Sequence, residues 1–117
     1  MRIETDLSTV TVTLSPIETM LAFKHSLKIP VERIASVYAA NRADVPFGPL
    51  VRNPGTHVPG LLRYGSYGLA DNRQFRATVR RARVLVIETP GWEYSKIVLS
   101  ITDPDQIAGA ISAALPK

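Results

Sequence analysis

The sequence contains no cysteine. Disulfides, thiolate nucleophiles, iron–sulfur clusters and thiolate-bound zinc are therefore excluded, and a reducing cytoplasm is the expected location. No run of about 18 apolar residues occurs, so no transmembrane segment is expected. The opening MRIETDLSTVTVTL places acids where a signal peptide needs a basic stretch followed by an unbroken apolar one. No secretion signal is read there. Histidine is limited to His25 and His57, 32 positions apart, with no HxxxH spacing and no carboxylate cluster beside them. No metal or other cofactor is expected on that basis. Neither histidine lies in a nucleophile-elbow pattern, and no GxGxxG or GxxxxGK[ST] run is present, so the reading is a non-enzymatic protein.

Acidic residues are scarce in one segment. Between residues 52 and 83 the single acid Asp71 faces Arg52, Arg63, Arg73, Arg76, Arg80, Arg81 and Arg83, half of the 14 basic residues of a chain with net charge +4. Arginines at hairpin ends keep a small β domain soluble and discourage edge pairing. The alternative is an anion-binding face, for which the candidates are Arg52, Thr56, His57, Arg63, Arg76 and Arg80. In that reading Gly55, Thr56 and His57 turn backbone N–H groups outward as a small nest. Nucleic acid is not an expected partner. Strand alternation groups Arg73, Phe75, Ala77 and Val79 opposite Gln74, Arg76, Thr78 and Arg80, which turns Phe75 toward the core rather than toward a stacking base.

What is present is enough for one folded domain spanning residues 1–117. With 45% hydrophobic and 21% charged residues, the chain is of globular composition and long enough to bury about two-thirds of its unfolded surface. Residues 9–14, TVTVTL, alternate with the period of a strand. Ser15, Pro16 and Glu18 form a capping box, opening a short helix near residues 16–24 that carries Ile17, Met20 and Leu21 inward. Leu27 and Ile29 read as a brief strand, while PVERIASVYAA fits a helix and a strand equally by period. From Ala43 to Gly60, four prolines and three glycines predict a long loop without regular elements. Four strands follow, LLRYGSYGL, NRQFRATVRR, RVLVIET and YSKIVLSI, expected as an antiparallel meander. In RVLVIET both alternating sets are apolar, which predicts a central strand. Asp103, Pro104 and Gln106 supply a cap, a first-turn proline and a capping-box glutamine for a C-terminal helix striped by Ile107, Ile111 and Leu115. Helix capping also accounts for Asp103 and Asp105 without calcium.

LKIPVERIASVYAA resembles the strand pair of bacterial pleckstrin-homology-like domains, in which an xIPxxxIxxV segment turns from one strand into the next. PGTHVPGLLRYGSYG, RQFRATVRRARVLVIET and ITDPDQIAGAI likewise resemble small bacterial proteins of that family, so the resemblance covers nearly the whole chain. It implies a mainly β fold, a barrel of about seven antiparallel strands capped by one C-terminal helix. It also implies a turn at residues 30–33 and a strand from Ile34 to Ala40. Where relatives carry an aromatic pair, this chain has Phe75-Arg76, and the basic motif of phosphoinositide-binding members is missing, with only Arg2 in residues 1–14. The implied function is a binding or interaction module whose partner is another protein or a second copy of the chain, giving a homo-oligomer. The contact is expected at an exposed edge strand or at Val45, Phe47, Leu50 and Val51. The alternative is a small-anion or small-ligand domain built on the Pro/Gly-rich loop and neighbouring arginines.

Overall fold

In the computed structural model, residues 2–6, 8–22, 26–41, 52–58, 62–67, 73–79, 83–101 and 103–115 are described. The elements in chain order are β1 (Arg2–Thr5), β2 (Thr9–Thr13), α1 (Pro16–Ala22), β3 (Ser26–Pro30), a 3₁₀ turn (Val31–Arg33), β4 (Ser36–Asn41), β5 (Arg52–Val58), β6 (Leu62–Tyr67), β7 (Gln74–Val79), β8 (Arg83–Glu88), β9 (Lys96–Ser100) and α2 (Pro104–Ala114). The chain is thus mainly β and ends in a helix.

The strands form two sheets rather than one closed shell. One has three strands in the order β1-β2-β3, and the other has six in the order β4-β8-β9-β7-β6-β5. The expected barrel of about seven antiparallel strands is therefore not formed. Among the described residues nine strands are divided between two open sheets, and the β7–β9 pair is parallel. A barrel needs its end strands to meet, whereas β4 and β5 terminate the larger sheet.

The alternating threonines and valines of β2 explain the smaller sheet. Val10 and Val12 face Ile29 and Leu27 of β3 across the ladder, and all four are buried. Each such side chain contributes about 1.5–3 kcal/mol on leaving water. They meet Phe75, Ala77, Leu85, Ile87, Ile97 and Leu99 from the larger sheet, and Ala108 and Ile111 of α2 complete this core. Val84, Val86 and Val98 form a second cluster with Ala40 on the other face of the larger sheet. Strand β8 serves both clusters, as its two apolar sets require, and is flanked by β4 and β9.

The expected meander fails at one point. Strand β9 inserts between β7 and β8, parallel to the first and antiparallel to the second. Its residues Ile97, Val98 and Leu99 are all fully buried, and a strand apolar on both faces belongs in a sheet interior. Ending a meander would have left it at an edge.

The region expected as a loop also departs from its reading, since residues 52–58 form β5. Proline and glycine are accepted there because β5 is an edge strand whose register shifts between Arg52 and Gly55. The Ala43–Val51 part of that loop, with Val45, Phe47, Leu50 and Val51, lies outside the described residues. Strand β1, which sequence periodicity does not single out, pairs with β2 from Arg2 to Thr5. The turn at residues 30–33 and the strand after it are present as the 3₁₀ turn and β4. Within β6, Gly65 has φ 126°, a conformation closed to most side chains, opposite Gly55 and Arg76.

Both helix starts carry information. At α1 the capping box forms: Ser15 N–H donates to Glu18 Oε1 at 3.0 Å, and Glu18 N–H donates to Ser15 Oγ at 3.3 Å. Partial burial opposes ionisation of Glu18, but contacts that favour its charged form, the Ser15 N–H among them, bring its carboxyl below the ordinary value. Ile17, expected inward, is instead 73% exposed. At α2, Asp103 adopts the left-handed conformation (φ 53°, ψ 56°) and makes no side-chain cap bond, so the expected aspartate cap is replaced by Pro104 in the first turn. Ile111 is buried, with Ile107 and Leu115 packed against the same core, as the expected stripe requires.

The β1–β2 turn depends on one carboxylate. Ser8 and Thr9 N–H groups donate to Asp6 Oδ1 at 2.8 and 2.7 Å, and these bonds hold Asp6 below its ordinary pKa of 3.8. Because the folded value is depressed, the stabilisation is complete above the unfolded pKa and is lost as pH falls through the folded one. Amide NMR should show the Ser8 and Thr9 signals titrating together, with a midpoint under that of a free aspartate. A midpoint at or above the free value contradicts the assignment.

Candidate functional site

Of the six residues expected to bind an anion, five fall on strands β5, β6 and β7. Arg52, Thr56 and His57 lie on β5 and Arg63 on β6, with His57 opposite Arg63 and Arg63 opposite Thr78 of β7. Thr56 stands in the alternate row with Tyr64 and Ala77. Gly55, Thr56 and His57 belong to a paired strand, whereas a nest needs successive residues in a turn conformation. Arg80 lies outside the described residues, as does His25. Arg76 is placed but enclosed, at 4% exposure, and its Nε and Nη2 donate to Gln74 Oε1 at 3.3 and 3.1 Å. It is part of the buried second face of the larger sheet, flanked by Gln74 and Thr78, and not a surface arginine. Phe75 is fully buried, in line with the face assigned to it by alternation.

Among the described residues no group of three His, Asp or Glu side chains is placed to hold a metal ion. A cleft of about 200 Å³ is lined by Glu4, Thr5, Asp6 and Thr11, below the usual range for a small-molecule pocket. Its Asp6 Oδ1 is already engaged by the turn. No helix among the described residues is long and apolar enough to cross a membrane.

Two features stand out instead. The first is the set of sheet edges. Strand β1 carries Arg2 and Glu4, paired at 3.3 Å, and β3 carries exposed Lys28 and ends at Pro30. Strand β5 carries Arg52, Pro54 and a register shift. Charge, proline and bulges are the ordinary means by which an edge is kept from pairing. Strand β4, SVYAAN, has none of them, and its register with β8 is continuous over six residues. Tyr38 projects from it at 41% exposure. Partial burial, then the negative charge of Glu88, raises the Tyr38 pKa above the ordinary phenol value, so this strand stays uncharged through the neutral range.

The second feature is the segment joining β8 to β9. Tyr94 is buried at 1% exposure, its hydroxyl 2.7 Å from Ser66 Oγ and its ring edge-on to Phe75 at 5.7 Å and to Trp92 at 6.0 Å. Thr89 Oγ1 donates to the Tyr94 carbonyl at 2.6 Å. Gly91, with φ 82°, makes the turn. Against the Tyr94 ring lies half-buried Arg73, its Cζ 5.0 Å from the centroid. The Arg73 carbonyl accepts bonds from Ser95 N–H at 2.7 Å and Ser95 Oγ at 3.0 Å. Its Nε is buried without a hydrogen-bond partner, a state that costs about 1–3 kcal/mol. In the sequence Arg73 is one of the seven arginines of residues 52–83, grouped by alternation with Phe75, and nothing marks Tyr94 as its neighbour. The available signal was the lone tryptophan beside a tyrosine just after Pro90-Gly91, since such aromatics carry both apolar area and a polar handle.

Comparisons of the chain with family models, curated proteins and solved structures found no match.

Proposed function

We propose that this chain is a non-enzymatic interaction module that self-associates through the edge of β4. The observation that supports it is the contrast among the sheet edges: three carry charge, proline or a register shift, and β4 carries none. An antiparallel pair formed about a two-fold axis brings the same strand against itself. An uncharged strand meets no like charge in that arrangement, and two six-stranded sheets would join as one. Kinship with pleckstrin-homology-like domains belongs to the proposal, supported by a mainly β chain whose final helix packs against a sheet.

Size-exclusion chromatography with light scattering across micromolar to millimolar concentration tests the reading. A dimer is expected, and Tyr38→Lys, which places a cation on the edge, is expected to return a monomer with unchanged circular dichroism. A monomer at millimolar concentration for the unaltered chain removes the proposal. The small-anion alternative on β5 and β6 retains one supporting observation, the register pairing of His57 with Arg63.

A further inference from the structure

We infer that Arg73 is the anchor of a second, separate site, one that takes a small oxyanion of carboxylate or phosphate geometry. Three observations combine. The cation is set against a fixed platform: Tyr94 is held by Ser66, Phe75 and Trp92, and the Arg73 main chain is held by Ser95. Among the described residues no carboxylate is paired with it, and its Nε is buried without a hydrogen-bond partner. The residue is half-buried, so the charge is partly removed from water.

Arginine stacked on an aromatic ring is arranged for bidentate recognition, because the planar fork matches two oxygens of one acid group. Stacking restricts the side chain before the ligand arrives, which lowers the ordering cost of binding. Carboxylate and phosphate share this chemistry. Among the described residues Glu93, just beyond Gly91 in the turn, is exposed and does not occupy the position.

Trp92 is the only tryptophan and touches the ring on which Arg73 stacks, so its fluorescence reports on the site directly. Sodium phosphate and sodium acetate are titrated separately into the full chain, with sodium chloride at matched ionic strength as reference. The Arg73 Nε–H resonance is followed in parallel by nitrogen-15 NMR. The expected result is a saturable fluorescence change with at least one of the two anions and a downfield shift of the Nε–H signal. Response to acetate alone identifies a carboxylate ligand, response to phosphate alone a phosphate, and response to both the shared chemistry. In Arg73→Met the saturable response is lost. In Arg73→Lys, which keeps the charge and guards against a folding defect, it is weakened, because an ammonium group lacks the fork. No saturable response to either anion overturns the inference, and so does a response that survives intact in Arg73→Met, which marks an adventitious ion only.

Discussion

Replacing Tyr94 with alanine is expected to destabilise the fold by about 3–5 kcal/mol, the range for deleting a large buried aromatic. The ring is 1% exposed and contacts Phe75 and Trp92 edge-on, so its removal leaves a cavity bounded by side chains that are themselves packed. Tyr94→Phe keeps the ring and removes only the hydroxyl. Its cost should be about 1–3 kcal/mol, because buried Ser66 is left without that partner. Urea unfolding followed by far-ultraviolet circular dichroism separates the two. Equal midpoints for Tyr94→Phe and the unaltered chain would show that the hydroxyl contact contributes nothing.

The second large effect is expected at the C-terminal helix. Ile111 is fully buried in the core between the sheets, while Ile17 of α1 is 73% exposed. Ile111→Ala should therefore cost about 2–5 kcal/mol, and Ile17→Ala should stay within about 0.5 kcal/mol. The same chemical change made on the two helices thus gives opposite outcomes, read as a shift in the urea midpoint for one and none for the other. A domain of this kind has only about 5–15 kcal/mol of net stability, so the first variant approaches the limit of remaining folded. A small cost at Ile111 would mean that α2 rests on the sheet without anchoring it.

Much of this architecture is legible in the residue pattern. In β2 the alternation of Thr9, Thr11 and Thr13 with Val10 and Val12 states which face is dry, because side chains alternate strictly along a strand. In β8 the double apolar set states that both faces are covered. Alternation does not say which strand is the neighbour, and so the position of β9 between β7 and β8 is not readable: a meander and the observed order present the same side chains to the same faces. Strand β5 is hidden for another reason. Pro54 and Gly55 argue against a strand locally, and only an edge position with a register shift accommodates them. Ile17 departs from its expected inward position because a seven-residue helix makes fewer than two full turns, too few to define a stripe.

The candidate sites were less readable than the fold. Arg76 reads as one more solvated arginine in a basic segment, and its enclosure follows from the second face of the larger sheet being covered, a tertiary fact. Arg73 and Tyr94 are 21 positions apart in sequence and meet because β7 and β9 run side by side. The edge position of β4 is likewise a tertiary fact, since the segment SVYAAN suits an interior strand equally well.

The placement of β9 also sets a timetable for the nascent chain. Strands β7 and β8 leave the ribosome first, yet neither has its shared partner until residues 96–100 follow. Among the described residues no other strand joins β7 to β8, so the ladder divides into β5-β6-β7 and β4-β8 wherever β9 is taken away. The continuity of the larger sheet thus rests on one five-residue strand.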